Sequence, residues 1–300
     1  MAHRFPRPER RDYSAAATEP RPFPEDRSIL NARCGTPTIL AIEDLTLRFG
    51  GVTALSGLTL EAREGELLAI VGPNGAGKTS VLNCVSGLYR PQRGSITLYD
   101  HAGVGRALQG LPPDRIARLG VGRTFQNIEL FKHMTVLDNI TLGRHVHMSG
   151  GVLRGGLCFG RHRGTEIEHR RKAEWVIGFL ELESVRRATV GNLPYGKQKL
   201  VELARALALE PRILLLDEPM AGMNAEEKES MARFILDVQE EWDVTPVVID
   251  HDMDVIMDIA DRVVVVDFGR VLAEGPPEQI RSDPRVIDAY LGDANPRGPA

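Results

Sequence analysis

A glycine-rich stretch with one lysine and adjacent hydroxyl residues carries the clearest chemistry in the sequence. Residues 66–88 have the sequence ELLAIVGPNGAGKTSVLNCVSGL, in which an apolar strand (Leu67–Val71) precedes the loop and a helix follows it. The pattern G-x-x-x-x-G-K-[ST] in a strand–loop–helix setting is typical of a phosphate-binding loop, where backbone N–H groups converge on phosphate oxygens. We therefore expect nucleotide contacts from Gly72, Pro73, Asn74, Gly75, Ala76, Gly77, Lys78, Thr79 and Ser80.

Two side chains of this loop have separate expected roles. Lys78 is expected at the β- and γ-phosphates, and the Thr79 hydroxyl is expected on Mg²⁺. Short motifs also occur by chance, so the loop taken alone leaves open a glycine turn in an unrelated strand–helix unit.

A second signal is the segment RILLLDEP at residues 212–219. Its continuous apolar run predicts a strand buried on both faces, and the residues after it emerge at the carboxyl edge, where α/β sheets bind ligands. Asp217 is then expected to hold Mg²⁺, and Glu218 to polarise an attacking water molecule. An Asp-Glu pair at a strand end often only caps the next element, but its position after a phosphate loop favours the functional interpretation.

Composition bounds the remaining classes of function. The 300 residues are 42% apolar and 26% charged, which is typical of a soluble globular chain. A net charge of -4 gives no electrostatic case for nucleic acid as the main partner. No apolar run approaches the roughly 18–20 residues of a membrane helix, so if membranes matter, the chain is expected to act on one from outside. The three cysteines are far apart, which favours a reduced, cytosolic compartment over a disulfide framework or a zinc site.

The sequence divides into two tails and one domain. Residues 1–37 are rich in Arg and Pro without an apolar signal region, so we expect a disordered tail, with a functional basic arm as the alternative. Residues 38–292 form the predicted domain, and residues 293–300 a frayed end. Alternating apolar residues after Thr38 predict antiparallel strands with turns at Gly50–Gly51 and Ser56–Gly57. From Gly191 onward, alternating strands and helices predict an α/β fold with a largely parallel sheet.

Between these parts, residues 127–190 have mainly helical patterns and form a predicted inserted helical subdomain. This block contains a stretch rich in Gly, Arg and His, Gly143–Lys172. We expect a solvated insertion loop there, and the alternative is a basic surface that meets anionic lipid or a membrane subunit. His145 and His147 have no further ligand-like neighbours in sequence, so no metal site is expected at them.

The order of these motifs, from about residue 40 to residue 292, resembles the nucleotide-binding subunits of ABC transporters. The resemblance implies a P-loop NTPase fold with ATP and Mg²⁺ as ligands, and it implies ATP hydrolysis. By the same resemblance, Phe49 stacks on adenine, although the pattern also allows a core residue of the β portion. Gln126, in GRTFQNIELF, is similar to the glutamine that touches Mg²⁺ or the attacking water and links the site to membrane subunits. His251, in VVIDHDM, is similar to the histidine that contacts the γ-phosphate.

A six-residue segment, LPYGKQ, resembles the family signature LSGGQ, which binds the γ-phosphate of a nucleotide held by the opposite subunit. Gly196 is retained, but Pro194 and Tyr195 replace the usual Ser and Gly, so one hydroxyl donor is missing. We expect the helix N-terminus and Gly196 to supply the contact. Further on, Asn224 occupies the position of the usual Asp in the segment after Glu218. The implied signature residues are Leu193, Pro194, Tyr195, Gly196, Lys197 and Gln198.

Longer stretches, including RFGGVTAL, EPMAGMN and EGPPEQIRSDPRVIDAYLG, are similar to the ATPases of branched-chain amino-acid importers. This resemblance implies a head-to-tail dimer with the same or a second ATPase subunit, transmembrane permease subunits, and indirectly an extracytoplasmic solute-binding protein. It places the chain in the cytoplasm, peripheral on the inner face of the membrane. Open alternatives are ATPases for urea, amides or lipopolysaccharide export, an ABC ATPase acting on DNA or ribosomes, and a regulatory module without turnover.

Overall fold

The computed structural model describes residues 36–147 and 161–293, which fold around two β-sheets. The tails predicted at the two ends lie almost entirely outside the described residues. Within the described ranges the strands are β1 (Thr38–Phe49), β2 (Val52–Arg63), β3 (Leu68–Val71), β4 (Arg93–Tyr99), β5 (Gly105–Ala107), β6 (Val121–Arg123), β7 (Ile213–Asp217), β8 (Thr245–Ile249), β9 (Arg262–Asp267) and β10 (Arg270–Gly275). The helices there are α1 (Lys78–Val85), α2 (Pro113–Arg118), α3 (Val136–Gly143), α4 (Arg161–Phe179), α5 (Tyr195–Leu207), α6 (Ala225–Trp242), α7 (Met253–Ile259), α8 (Pro277–Ser282) and α9 (Pro284–Asp293).

The larger sheet has the strand order β10-β9-β3-β8-β7-β6 and is parallel except for the β9–β10 pair. Since β3 and β7 both pair with β8, their carboxyl ends lie at one edge of the sheet. The side chains of β7 alternate between two cores. Leu214 and Leu216 join the core beneath the helices, whereas Ile213 and Leu215 join the core between the sheets. Burial on both faces explains the continuous apolar run, and the predicted α/β class is confirmed.

The smaller sheet is antiparallel, with the order β2-β1-β4-β5. The turn predicted at Gly50–Gly51 joins β1 to β2, but the turn predicted at Ser56–Gly57 is wrong. Leu45 pairs with Leu58 and Thr46 pairs with Ser56, so Gly57 is the extra residue of a β-bulge inside β2. Its φ of 71° favours glycine. A glycine beside a small polar residue is compatible with either a turn or a bulge, and cross-strand pairing decides between them.

The helical block contains α3 and α4, and aromatic side chains join it to the main domain. The Trp175 and Phe179 rings on α4 lie 4.4 and 4.7 Å from the Trp242 ring at the end of α6, measured between ring centroids. Phe234, about two turns earlier on α6, has its ring 6.3 Å from the Phe179 ring, again between centroids. Buried aromatic pairs of this kind contribute about 0.5–1.5 kcal/mol each beyond their buried area. The block is therefore packed against α6 rather than tethered to it.

The solvated loop predicted at Gly143–Lys172 is wrong for the part that the structure describes. Gly143 ends α3, a 3-10 turn follows at Arg144–His147, and α4 begins at Arg161. Residues 148–160 lie outside the described ranges. The Arg144 side chain is buried because its guanidinium donates to the Ala208 carbonyl (2.7 Å), the Glu210 carboxylate (3.1 Å) and His169 Nδ1 (3.0 Å). A count of glycines and basic residues cannot reveal such tertiary partners.

The buried Arg144–His169 contact makes stability depend on pH. Arginine can only donate, so His169 Nδ1 must accept and the ring must be neutral. Burial, reinforced by Arg144, lowers the pKa of His169. Below the ordinary histidine pKa of about 6.5 the unfolded chain therefore binds more protons than the folded chain. We expect urea-unfolding stability to fall as the pH drops from 7.5 to 5.5.

The same titration separates His169 from other acid-sensitive groups. In His169→Gln the amide oxygen still accepts from Arg144 but does not titrate, so the loss of stability over this pH range should be smaller. His133→Gln is the control, since His133 is exposed. Equal pH dependence in His169→Gln and the unsubstituted chain would contradict the assignment.

Candidate nucleotide site

The glycine loop leaves the carboxyl end of β3 and is pressed against two other strands. Gly72 has a φ of 149°, and a Cβ atom there would lie 2.0 Å from the Val266 carbonyl oxygen. Gly77 has a φ of 103°, and a Cβ atom would lie 2.5 Å from the Ala54 carbonyl oxygen. Only glycine fits both positions, so the backbone between them takes the tight course that a phosphate cradle needs.

Lys78 is the first residue of α1 and its side chain is 6% exposed. Its ammonium group donates to the carbonyl oxygens of Gly72 (2.6 Å) and Pro73 (2.9 Å). The side chain thus folds back over its own loop, and its contact with the β- and γ-phosphates stays a prediction.

Thr79 and Asp217 come together as the sequence predicted. The Thr79 hydroxyl donates to Asp217 Oδ1 at 3.2 Å, and Asp217 is 1% exposed at the end of β7. Burial raises the pKa of Asp217, and the Arg123 guanidinium and the Thr79 hydroxyl oppose that rise. A hydroxyl beside a carboxylate is an oxygen donor set of the kind that Mg²⁺ prefers. In residues 36–147 and 161–293 no group of three His, Cys, Asp or Glu side chains is placed to hold a metal ion.

Two predicted residues, Gln126 and His251, meet at the carboxylate of a third, Glu218. Gln126 Nε2 donates to Glu218 Oε2 at 2.9 Å, and His251 Nε2 lies 2.6 Å from Glu218 Oε1. Glu218 has a φ of 50°, an uncommon backbone conformation for a residue other than glycine, and its N–H donates to the Ile249 carbonyl at 2.7 Å. Each oxygen of the Glu218 carboxylate therefore has its own partner, on the residue that follows Asp217 in sequence. The Gln126 side chain contacts Glu218 rather than the Thr79–Asp217 pair, so its role toward Mg²⁺ stays a prediction.

The signature-like segment forms the start of α5. Pro194 is the N-cap, one residue earlier than a first helical position, and no side chain caps this helix in the described structure. Tyr195 is 45% exposed, and its ring lies 3.0 Å from where a Cβ atom of Gly222 would be. A Cβ atom on Gly196 would lie 2.2 Å from a Glu227 carboxylate oxygen. Gln198 Nε2 donates to the carbonyl of the buried Leu193 at 2.8 Å, whereas Lys197 is half-buried.

Phe49 ends β1 and is 48% exposed, with its edge against the Tyr89 ring at 5.0 Å between centroids. The alternative of a core residue is therefore wrong. An exposed ring at this place is available for stacking, and its contact with adenine stays a prediction.

Comparison with known proteins decides the family. The family model described as ABC transporter matches residues 55–221, more than half of the chain. The chain belongs to the ABC transporter family. A second model, described as branched-chain amino acid ATP-binding cassette transporter, matches residues 270–295.

Curated relatives of this ABC ATPase are similar over nearly their whole length. The high-affinity branched-chain amino acid transport ATP-binding protein BraF of Pseudomonas aeruginosa is 43% identical over 256 residues, which cover 85% of this chain and 98% of the relative. The corresponding protein LivG of Salmonella typhimurium is 43% identical over 261 residues, with the same coverage.

Solved structures agree on the fold. The ADP conformation of the ATP-binding cassette MJ1267 matches with a TM-score of 0.72 and 26% identity, covering 86% of this chain and 100% of that one. The dimeric, post-hydrolysis structure of the cassette MJ0796, bound to ADP and Pi, matches with a TM-score of 0.65 and 26% identity, covering 79% and 98%. Across residues 36–147 and 161–293 of this ABC ATPase we find no helix with the length and apolar character that crossing a membrane requires.

Two residues of the site were missed by the sequence analysis, Lys199 and Glu202 on α5. Lys199 is 2% exposed, and its ammonium donates to the backbone carbonyls of Gln126 (3.0 Å) and Glu218 (3.4 Å). Glu202 is 1% exposed and accepts from the Phe125 N–H at 3.2 Å. Burial lowers the pKa of Lys199 and raises the pKa of Glu202. Lys199 and Glu202 are three residues apart, so in sequence they look like an ion pair on a helix surface. The signal that could have revealed their burial is that they lie on the same helical face as the apolar residues Leu203 and Ala206.

Removal of the Lys199 ammonium should slow hydrolysis more than it weakens ATP binding. In Lys199→Met the backbones of Gln126 and Glu218 lose their shared donor, and small displacements of reacting groups can lower a rate by up to about 100-fold. We expect an approximately 10- to 100-fold lower rate of phosphate release, and Lys199→Arg should recover part of it. The control is Lys172→Met. The Lys172 ammonium pairs with the Glu210 carboxylate at 2.6 Å, and this pair lies outside the site. An unchanged rate in a folded Lys199→Met protein would contradict this role.

The segment matched by the branched-chain amino acid family model includes α8 and α9, which the sequence analysis did not predict. Tyr290 on α9 is half-buried, and its hydroxyl donates to Met253 Sδ, at the start of α7, at 3.5 Å. Burial raises the pKa of Tyr290 to about 12. The C-terminal segment of this ABC ATPase therefore contacts the start of α7, two residues after His251.

Proposed function

We propose that this chain is the ATP-hydrolysing subunit that energises import of branched-chain amino acids through separate membrane permeases. The observation that carries hydrolysis is the Glu218 carboxylate, held between Gln126 and His251 and adjacent in sequence to Asp217. The substrate class rests on the named relatives at 42–43% identity and on the match at residues 270–295.

In this proposal the loop from Gly72 to Ser80 holds the phosphates, and Lys78 contributes its charge to the β- and γ-phosphate oxygens. Mg²⁺ would be held by Thr79 and Asp217, with Gln126 nearby, and when bound it neutralises charge that develops on the phosphate oxygens. Phe49 stacks on the adenine ring.

Glu218 carries out the proton transfer. Its carboxylate accepts a proton from the water that attacks the γ-phosphorus, or positions that water, and general base assistance of this kind contributes typically ~10²–10⁴-fold. Because an ionised carboxylate only accepts hydrogen bonds, His251 Nε2 carries the proton at the 2.6 Å contact. His251 thereby orients Glu218, and it senses the γ-phosphate together with Gln126.

We infer that a second subunit completes the site. The segment from Leu193 to Gln198 serves the nucleotide of the opposite subunit, and its support is an exposed helix start at Tyr195 without a side-chain cap. The dimeric MJ0796 cassette supports such an assembly in the family. The partners are then an identical or a second ATPase subunit and transmembrane permeases on the inner face of the membrane, with an extracytoplasmic solute-binding protein acting indirectly. Nucleic acid is not a partner.

Another solute is the main alternative. The sulfate/thiosulfate import ATP-binding protein CysA 1 of Rhizobium meliloti is 32% identical over 256 residues, below the 42–43% of the branched-chain amino acid relatives. The higher identity favours branched-chain amino acids.

Uptake measurements test the substrate class. In the source organism, deletion of this chain should lower uptake of radiolabelled leucine, isoleucine and valine, and the unsubstituted chain should restore it, whereas Glu218→Gln should not. Normal uptake of all three after deletion, with loss of uptake of another solute, would replace the substrate and leave ATP hydrolysis in place.

A further inference from the structure

A buried ion pair joins the candidate metal site to the neighbouring strand. Arg123 is the last residue of β6, which pairs with β7 so that Arg123 lies beside Leu215. One of its terminal nitrogens donates to Asp217 Oδ2 at 3.1 Å. The two side chains are 6% and 1% exposed, so the pair lies out of solvent. Neither the motifs nor the resemblance gave Arg123 a role.

Two further contacts hold the Arg123 guanidinium. Its other terminal nitrogen donates to the Ser86 hydroxyl at 2.6 Å, directly after α1, and the guanidinium lies over the Phe125 ring at 4.9 Å from the centroid. A planar guanidinium fixed by a hydroxyl and an aromatic face is preorganised for one carboxylate geometry. Arg123 therefore links the end of the helix that follows the phosphate loop to the end of β7.

The two oxygens of Asp217 have different partners. Oδ2 accepts from Arg123, and Oδ1 accepts from the Thr79 hydroxyl. We propose that Arg123 is a positioning residue that fixes the Asp217 carboxylate so that Oδ1, beside the Thr79 hydroxyl, is presented to Mg²⁺. This inference rests on the proposed function, and it adds a residue to the machinery that would hold the metal with ATP.

The charge and the position of Arg123 have opposite effects on the metal. A positive charge beside Asp217 disfavours a divalent cation, so removal of the charge alone should strengthen Mg²⁺ binding. A carboxylate that has lost the group orienting it should bind Mg²⁺ more weakly, and removal of such supporting hydrogen bonds typically lowers metal affinity about 10- to 100-fold. The sign of the change in Mg²⁺ dependence therefore distinguishes positioning from charge.

The test measures ATP binding by the whole chain in the Glu218→Gln background, which avoids turnover. Equilibrium dialysis with radiolabelled ATP is carried out in EDTA and across a Mg²⁺ titration. Three proteins are compared: the parent that retains Arg123, Arg123→Lys and Arg123→Met. We expect equal binding in EDTA, because Lys78 and the loop are unchanged. The Mg²⁺ concentration for half-maximal enhancement should rise about 10- to 100-fold in Arg123→Met, with Arg123→Lys between the two.

A matched control is Arg212→Met. Arg212 is also partly buried, donates to the Tyr99 carbonyl at 2.8 Å and pairs with Glu64 at 3.3 Å, at the opposite end of β7. In Arg212→Met the dependence of ATP binding on Mg²⁺ should not change. An unchanged or lower Mg²⁺ requirement in Arg123→Met overturns the proposal, and so does weaker ATP binding in EDTA by both Arg123 variants, which would show a general structural role. Failure of the Glu218→Gln parent to bind ATP at all would contradict the proposed function instead.

Discussion

Glu218→Gln should bind ATP with nearly unchanged affinity and release phosphate about 10²–10⁴ times more slowly. The glutamine side chain has the same size and still offers one oxygen to Gln126 or His251, but its amide cannot accept a proton from water. With ATP bound and not hydrolysed, the closed dimer should accumulate. Phosphate release measures the first effect, and size-exclusion chromatography with Mg²⁺ and ATP measures the second.

Glu226→Gln is the matched control for this prediction. Glu226 is exposed in the first turn of α6, away from the Glu218 cluster. Its substitution by Gln removes one negative charge, as Glu218→Gln does. Its hydrolysis rate should equal that of the unsubstituted chain. Hydrolysis by Glu218→Gln at the unsubstituted rate would contradict the assignment of Glu218.

Gly196→Asp should lower hydrolysis about 10²–10³-fold, as expected when a group that stabilises transition-state charge is lost. A side chain at Gly196 collides with the Glu227 carboxylate, which also accepts the Asn224 N–H in the capping box of α6. The new carboxylate would also place negative charge at the start of α5, where the γ-phosphate of the partner's nucleotide is expected. Phosphate release and ATP binding are measured on the same preparation.

Binding at the chain's own glycine loop should survive Gly196→Asp, because that loop and the signature segment serve different nucleotides. The control is Gly103→Asp, where a Cβ atom meets nothing within 4 Å and where Asp tolerates the φ of 76° better than most residues. Loss of ATP binding together with hydrolysis in Gly196→Asp would argue against a site shared between two chains.

The phosphate loop and the end of β7 could be predicted from sequence because each is a local pattern. Glycines at fixed offsets, a lysine and a hydroxyl between a strand and a helix are typical of a phosphate loop, and a run of apolar residues that ends in Asp217 indicates a buried strand. The ends of parallel strands that share a neighbour then meet at one edge, so the Thr79–Asp217 contact follows from topology. His251 and Gln126 needed the family resemblance, since a single His or Gln has no local pattern.

Other features depend on partners distant in sequence and could not be predicted. Arg123 and Lys199 belong to residue types that usually lie on the surface. They can be buried here because Arg123 donates to Asp217 and Lys199 donates to backbone carbonyls of the site. Arg144 was placed in a solvated loop for the same reason. The bulge at Gly57 depends on its register with β1. In each case the local sequence is compatible with two structures, and a contact across more than ten residues of chain chooses one.

The central claim is that each ATP lies between the glycine loop of one chain and the Gly196 segment of another. Mixing two inactive variants tests it most directly: Lys78→Ala removes one half of the site and Gly196→Asp removes the other half. In a mixed dimer both defects fall on one site and the second site is intact. A random mixture should therefore recover phosphate release, up to about a quarter of the unsubstituted rate, because half of the dimers are mixed and each retains one site. Failure of the mixture to exceed either variant alone, when mixed dimers are shown to form, would contradict the shared site.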